Sequence, residues 1–255
     1  MKRLAHTPEL LDGPLDREVL VGNLRDLERV NRLLGGVALS RQALVALITG
    51  FHARPRMAQA PGRSEPVRLL DVGTGAADIP EALIAWAGSN GIRLDVVAVD
   101  SRDEILDLAY ERIGERADLR LDIARGERLP FEARSFDVAH TSLVLHHLEP
   151  NDAARLIAEM ARVSRTGIIV NDLDRTWLSW LGAWLLSHLL TRNRYTRHDA
   201  PLSVRRAYRP AQVAQLAARA SLIEVARLRG FLGHRYALAF VHAESTEGHP
   251  ADAAG

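Results

Sequence analysis

The stretch "LLDVGTGAADIP", Leu69 to Pro80, places two glycines between an apolar run and a helix-like segment. Gly73 and Gly75 carry no side chain, so they can turn sharply and let a ligand approach the backbone. The N–H groups at such a strand-to-helix turn are available to donate to a ligand. The pattern therefore predicts a ligand-binding turn, with Asp71 and Asp78 as acidic candidates on either side of it.

A dinucleotide site is the first chemistry to consider for this turn. Its fingerprint is G-x-G-x-x-G, but Asp78 stands where the third glycine belongs, and its carboxylate would repel a pyrophosphate. Asp100, at the end of the next strand, lies about 27 positions past Gly73, beyond the roughly 20 expected for a nicotinamide cofactor. An NAD-linked oxidoreductase is therefore disfavoured.

The residues that follow predict the elements that position the turn. Strand-like runs are "VRLLDV", "LDVVAVD", "LRLDI", "FDVAHTSLV" and "GIIVNDL", with helical stretches at 79–89, 102–114 and 152–164. Ser101 with Glu104 predicts a capping box at the start of the second stretch. Such alternation predicts a parallel sheet with right-handed crossovers and helices on both faces.

The two ends of the chain differ from this core. Helical spacing predicts an N-terminal cap over 1–60, with Ser40 capping its second helix and the Pro- and Arg-rich "HARPRMAQAPGRSEP" following as a connector. A helix near Pro210 and the runs "IEVARLRGF" and "HRYALAFVHA" predict a hairpin at the sheet edge. We expect the main domain to span 61–245 and a disordered tail to span 246–255.

Composition excludes several classes of protein. The chain has 255 residues, 47% of them hydrophobic and 25% charged, as in ordinary globular proteins, and its net charge of +1 gives no general attraction to nucleic acid. It has no cysteine, which excludes disulfides, thiolate metal sites and cysteine catalysis. No spacing of His, Asp and Glu predicts a metal site. The start "MKRLAHTPEL" lacks the apolar core of a signal peptide, so we expect a cytoplasmic protein.

Three motifs in order carry a resemblance over residues 67–172: "LLDVGTGAADIP", "VVAVDSRDEIL" and "LDIARGERLPFEARSFDVAHTSLVLHHL". They resemble class I S-adenosylmethionine-dependent methyltransferases, in the branch of ubiquinone and menaquinone biosynthesis enzymes and small-molecule O-methyltransferases. "NLRDLERVNRLLGG", "NDLDRTWL" and "APLSVRRAYRP" are similar to enzymes found with aromatic polyketide pathways, which implies secondary metabolism. The resemblance implies a Rossmann-like α/β fold with seven strands, the last antiparallel, and a helical insertion after strand 5.

The resemblance also implies a cofactor site for S-adenosylmethionine and its product S-adenosylhomocysteine. Asp100 would accept both ribose hydroxyls, because a carboxylate can accept two donors. Asp122 would accept from the adenine amino group, and the Ile123 amide would serve the ring edge. Ala77 replaces a third glycine that the family often has. The other implied cofactor residues are Asp71, Gly73, Thr74, Gly75, Asp78, Ser101, Thr141 and Ser142.

Methyl transfer to a phenol or enol oxygen also calls for removal of a proton. His146 and His147 of "VLHHL" follow the fourth strand, and histidine titrates near neutral pH, so either is a candidate base. They could instead pack beneath the cofactor and hydrogen-bond the backbone. Asp172 and His52 are further candidates.

About 37 residues lie between the fifth strand, which ends near Asp172, and the helix at Pro210, and they include an excursion at 174–209. Trp177, Trp180 and Trp184 lie at i, i+3 and i+7 on a helix too short to span a bilayer. This face could pack in the core or a dimer, form a roof over an apolar substrate, or attach weakly to a membrane surface. The arginine-dense stretch after it could be a solvated loop or hold an acidic group of the substrate. We expect 174–209 to form a mobile cover.

Together these features predict a methyltransferase for a small lipophilic acceptor, phenolic or quinone-like, with O-methylation favoured over C-methylation. A catalytically inactive cofactor-binding partner protein remains an alternative. An RNA or protein methyltransferase is disfavoured because the chain lacks a general basic surface. The oligomeric state is not predicted.

Overall fold

A single mixed sheet forms the centre of the computed structural model, which describes residues 1–13, 16–50 and 65–243. The strands are β1 (Val67–Val72), β2 (Leu94–Asp100), β3 (Leu119–Ile123), β4 (Phe136–Ser142), β5 (Ser164–Leu173), β6 (Leu222–Arg229) and β7 (Arg235–His242). Their order is β3-β2-β1-β4-β5-β7-β6. The first five are parallel, and β7 runs antiparallel to both of its neighbours. The predicted Rossmann-like methyltransferase sheet is confirmed. Most of the predicted connector, His52 and the predicted tail lie outside the described residues.

Helices cover both faces of the sheet. They are α1 (Arg17–Leu33), α2 (Gly36–Gly50), α3 (Asp78–Ser89), α4 (Asp103–Ile113), α5 (Pro150–Val163), α6 (Trp177–Leu190), α7 (Arg194–Arg206) and α8 (Pro210–Arg219). One buried apolar cluster includes side chains of α5 and α8, and a second includes side chains of α2, α3 and α4. Because the carboxyl ends of β1, β2, β4 and β5 meet at one edge, this arrangement brings the residues after those strands together.

Two predicted helix caps are wrong. The structure starts α4 at Asp103 and gives its N-cap, Arg102, no side-chain hydrogen bond, so Ser101 and Glu104 do not form the predicted capping box. The Asp100 carboxylate instead accepts the Ser101 and Arg102 amides. Ser40 lies inside α2, which begins at Gly36, and its hydroxyl is 2.8 Å from His140 Nε2.

The excursion at 174–209 folds as two helices. The tryptophan-bearing segment forms α6 as predicted, whereas the arginine-dense stretch, considered as a loop, forms α7 with Pro201 inside it. The turn of helix at Leu10–Asp12 and the 3-10 turn at Leu145–His147 both contact α7. The second helix of the excursion therefore lies over the residues that follow β4.

Among the described residues, no single helix is long and apolar enough to cross a membrane. The bent pair Arg17–Leu33 and Gly36–Thr49 reaches that length and apolar composition only when its two helices are taken together.

Candidate active site

The glycine turn after β1 has the backbone that the sequence predicted. Gly73 and Gly75 have φ of 73° and 57°, and Ala77 adopts 58° despite its methyl group. A Cβ on Gly73 would lie 2.3 Å from Val144 Cγ2, so only glycine fits there. Thr74 is buried and its Oγ1 has no hydrogen-bond partner among the described residues. In this turn, the backbone at Gly73 therefore lies against Val144, and the Thr74 hydroxyl is available to a ligand.

Asp100 lies at the end of β2, facing this turn. Its Oδ2 accepts the Gly75 amide at 3.1 Å, and its Oδ1 accepts the Ser101 amide at 2.8 Å. Burial raises the pKa of Asp100, and the three backbone amides oppose that rise. The carboxylate therefore joins the carboxyl end of β2 to the glycine turn, where it can still accept another donor.

The predicted adenine contacts lie at the end of β3. Asp122 is partly exposed and forms an ion pair with Arg120 at 3.2 Å. Ile123 pairs with Asp100 across the two strands and its side chain is 48% exposed. Successive side chains of a strand point to opposite faces, so Asp122 and Ile123 cannot present their side chains to one ligand. The predicted contact of Ile123 uses its backbone amide, so it does not depend on where the Ile123 side chain points.

Two predicted cofactor residues at the end of β4 are held by hydrogen bonds. Thr141 Oγ1 donates to the Val72 carbonyl at 2.9 Å. Ser142 Oγ accepts from Arg235 at 2.6 Å. Asp71, on the neighbouring strand β1, lies 2.5 Å from His140 Nδ1 and is buried. The structure thus gives each of the three a partner within the protein, and their cofactor roles stay predictions.

Arg235 is the centre of a buried network that the sequence did not reveal. Its guanidinium donates to Asn171 Oδ1, Asn31 Oδ1 and Ser142 Oγ at 2.6–2.7 Å. Burial lowers the pKa of Arg235 to about 10, although Asp172 and Asp78 oppose the shift. Asn31 also donates to Asp78 at 2.9 Å. A cation and an anion therefore lie on either side of one amide, beside the glycine turn.

His146 and Asp172 form a buried pair at the carboxyl ends of β4 and β5. His146 Nδ1 is 2.7 Å from Asp172 Oδ1, and the His146 amide donates to Asp172 Oδ2 at 3.2 Å. Burial raises the pKa of Asp172, but the charge and hydrogen bond of His146 outweigh that effect and the pKa is lowered. An ionised Asp172 fixes the ring of His146 and leaves Nε2 as the free nitrogen.

His147 faces the N-terminal segment rather than the sheet. Its Nδ1 is 2.9 Å from Asp12 Oδ1 and 3.9 Å from Glu9 Oε2. Burial lowers the pKa of His147, but Glu9 and Asp12 outweigh it and raise the pKa. The two neighbouring histidines therefore have different partners.

Glu9 lies between the two histidines and was missed by the sequence analysis. It is 4% exposed, and its Oε1 has no hydrogen-bond partner among the described residues and is 3.9 Å from His146 Nε2. The possible ligand atoms of Glu9, His146 and His147 all lie within 4.8 Å of one another, so this trio could hold a metal ion. The sequence predicted no metal site, and 137 positions separate Glu9 from His146.

Arg206 of α7 holds this cluster together and was also missed. Its Nε donates to the His146 carbonyl at 3.0 Å, and its terminal nitrogens donate to the His147 carbonyl and to Asp12. Asp199, also on α7, accepts the Leu10 and Leu11 amides at 3.0 Å. The N-terminal segment and α7 therefore close over the two histidines.

The tryptophans predicted to cover a substrate face outwards. Trp177 is 68% and Trp184 43% exposed, and Trp180 is half-buried with its ring 5.8 Å from that of Trp177. The helix that contacts the turn Leu145–His147 is α7 rather than α6. The substrate role of the three tryptophans stays a prediction.

Comparison with known proteins agrees with the fold and the glycine turn. Residues 69–167 match the model of the methyltransferase domain family. The ubiquinone/menaquinone biosynthesis C-methyltransferase UbiE of Methylobacterium nodulans is 30% identical over 146 residues, which are 54% of this chain and 56% of that one. The chain thus spans about half the length of the curated relatives it matches.

Two solved structures share the fold. Human N-acetylserotonin methyltransferase in complex with SAM has a TM-score of 0.63 at 12% identity, covering 89% of this chain and 56% of that one. An O-methyltransferase family 2 protein of Planctomyces limnophilus in complex with apigenin has a TM-score of 0.54 at 18% identity, covering 90% and 62%. The sheet order and the glycine turn after β1 define a Rossmann-like methyltransferase fold. Within that fold, the segment 69–167 is similar to the methyltransferase domain family.

Proposed function

We propose that this protein transfers a methyl group from S-adenosylmethionine to a small lipophilic acceptor with a phenolic or quinone-like ring. The observation that carries the proposal is Asp100, a buried carboxylate that faces the Gly75 amide at the end of β2. The unsatisfied Thr74 hydroxyl in the same turn fits a ligand with polar groups. The bound cofactor would supply an activated methyl group on a sulfonium.

The residues present fit the parts of this cofactor. Asp100 would accept the ribose hydroxyls, Asp122 and the Ile123 amide would meet the adenine, and the glycine turn would receive the methionine part. Arg235 and Asp78 add a match that the motifs do not contain. Methionine ends in a carboxylate and an ammonium, and the buried Arg235 would favour the carboxylate through its long-range charge while Asp78 would favour the ammonium.

His146 is the base in this proposal. The acceptor's hydroxyl proton would move to Nε2, because Nδ1 is held by Asp172. The ionised Asp172 would stabilise the imidazolium that forms, as a buried carboxylate does for a catalytic histidine. Glu9, 3.9 Å from the same Nε2, would face the acceptor and can accept a hydrogen bond from a second hydroxyl.

A base that removes a hydroxyl proton makes that oxygen a stronger nucleophile, which supports O-methylation, although the same step also activates the neighbouring ring carbons. C-methylation of a quinone precursor is the second candidate, favoured by the name of the curated relative. The intact pair of His146 and Asp172 supports turnover over an inactive cofactor-binding protein. A cytoplasmic location, a role in secondary metabolism and the division into a cap at 1–60 and a domain at 61–245 stay predictions.

Cofactor binding by the Asp100→Ala variant tests the proposal. Hydrogen bonds to a charged group contribute about 1.5–3 kcal/mol, so the variant should bind S-adenosylhomocysteine roughly 10- to 150-fold more weakly in calorimetry. Asp95→Ala is the matched control, since Asp95 lies on the same strand with its side chain exposed. Tight NAD binding by the unaltered protein, or equal affinities for the two variants, would contradict the assignment.

A further inference from the structure

The helix α6 is arranged opposite to an ordinary surface helix. Its outer face consists of Trp177, Leu178, Leu181, Trp184, Leu185 and Leu189, which are 43–70% exposed. Its buried side chains include two serines, Ser179 and Ser187. A surface helix of a globular protein normally turns its apolar stripe to the core and its polar residues to solvent. The outer face of α6 is therefore built to contact something other than water.

A neighbouring turn extends this apolar surface. The turn Phe231–Gly233 contacts α6, and the Asp174 amide donates to the His234 carbonyl at 3.0 Å. Phe231 and Leu232 at its tip are 79% and 63% exposed. Contiguous exposed apolar patches of this kind mark sites of protein or membrane interaction. We call the outer face of α6 with Phe231 and Leu232 the apolar ridge.

Exposed arginines lie near both ends of the apolar ridge. Residues 174–209 contain seven arginines, of which Arg175 and Arg206 are buried, and two buried aspartates, Asp174 and Asp199. At one end of α6, Trp177 lines a surface cavity of about 460 Å³ together with Asp174, Arg175, Arg209, Arg227 and Arg229. Of these, Arg227 is paired with Glu224, whereas Arg209 and Arg229 are exposed. At the other end, Arg192 and Arg194 are exposed. The ridge is thus flanked by cations at both ends, although the whole chain carries a net charge of only +1.

We propose that the apolar ridge docks on the surface of an anionic lipid bilayer. Its leucines and Phe231 would enter the acyl boundary, tryptophans suit the interface between lipid and water, and the flanking arginines would meet the phosphates of the headgroups. A symmetric dimer is the less suitable occupant, because the same patch would face itself and bring two sets of arginines together without acidic partners. The attachment does not depend on methyl transfer.

Vesicle flotation with the full chain tests the attachment. The protein should float with vesicles of phosphatidylcholine and phosphatidylglycerol and far less with phosphatidylcholine alone. Leu181→Gln with Leu185→Gln should lower the partition coefficient about tenfold or more, since both side chains lose their apolar contact. Arg192→Gln with Arg194→Gln should lower it about fivefold for each arginine, and added salt should have the same direction of effect.

Tyr110→Gln is the matched control, because Tyr110 is 49% exposed on α4, which packs against β2 and β3 at the opposite edge of the sheet. It should bind like the unaltered protein. Failure to float with anionic vesicles would overturn the proposal, as would binding that the two leucine substitutions leave unchanged. A dimer in light scattering that those substitutions convert to a monomer would assign the ridge to a second copy instead. None of these measurements uses the cofactor, so they stand apart from the test with Asp100→Ala.

Discussion

His146 and Asp172 form the pair of residues on which turnover depends in the proposed reaction. His146→Gln should lower kcat about 10²- to 10⁴-fold, the usual contribution of a positioned base. The affinity for S-adenosylhomocysteine should not change, because the cofactor residues are intact. Rates measured against pH should also lose their acidic limb in the variant. A variant with a normal kcat and only a lower melting temperature would show that the histidine is structural.

His147 should make the protein less stable as the pH rises. Glu9 and Asp12 outweigh the effect of burial and raise the pKa of His147 above its ordinary value of 6.5, so the folded chain holds this proton more tightly than the unfolded chain. The stabilisation is fully present below pH 6.5 and is lost as the pH rises through the raised value. Denaturant unfolding should show this loss for the unaltered protein and not for His147→Gln. If the free energy of unfolding changed with pH in the same way for both proteins, the contribution of this proton would be contradicted.

The sequence revealed the residues of the site that belong to short motifs. Gly73, Asp100 and His146 follow strands at spacings that can be recognised. Glu9, Arg206 and Arg235 carry no such signal, because each is far along the chain from its partners. A buried arginine is also rare, so nothing in the run "HRYALAFVHA" indicates that the structure buries Arg235.

At the scale of elements, the two helices of the excursion should behave differently. The side chains that α6 buries include two serines, whereas α7 buries Asp199, Val204 and Arg206 and is bonded to two other segments. Amide hydrogens of α6 should therefore exchange faster than those of α7, and both faster than those of β4 and β5. Product and a phenolic ligand together should slow exchange in α7, whereas anionic vesicles should slow it in α6. Exchange in both helices as slow as in the strands would contradict a mobile cover.

Strand periodicity predicted the sheet well, whereas local rules for helix ends failed. The strands agree with the apolar runs because the buried parallel strands are short and almost continuously apolar. The arginine-dense stretch gave no signal for α7, because Pro201 and scattered charges argue against a helix. Outside α7, the residues that hydrogen-bond Asp199 and Arg206 are also far from them in the sequence. The Ser101 cap failed because the Asp100 carboxylate, one position earlier, takes the amides that start α4.

For the whole molecule, Arg235 joins the N-terminal helices to the sheet. Arg235→Met would leave the buried oxygens of Asn31 and Asn171 and the partly buried hydroxyl of Ser142 without this donor, at about 1–3 kcal/mol for each buried oxygen. The free energy of unfolding should fall by about 3 kcal/mol or more. Arg227→Met is the control, since Arg227 lies on β6 in an exposed ion pair with Glu224, and should change it by less than about 1 kcal/mol. Equal losses for the two variants would contradict a central role of Arg235.

The position of Arg235 also sets an order of events during synthesis on the ribosome. Asn31 leaves the ribosome long before its partner, and 204 residues separate the two. At about 5–20 residues per second, the N-terminal helices wait roughly 10–40 s for that partner. In the last part of this interval, after Leu173 has been synthesised, β5 also lacks its neighbour β7 and exposes an unpaired edge. A nascent chain stalled before residue 235 should therefore bind chaperones that recognise exposed strands, and release from them should follow the emergence of the last strand.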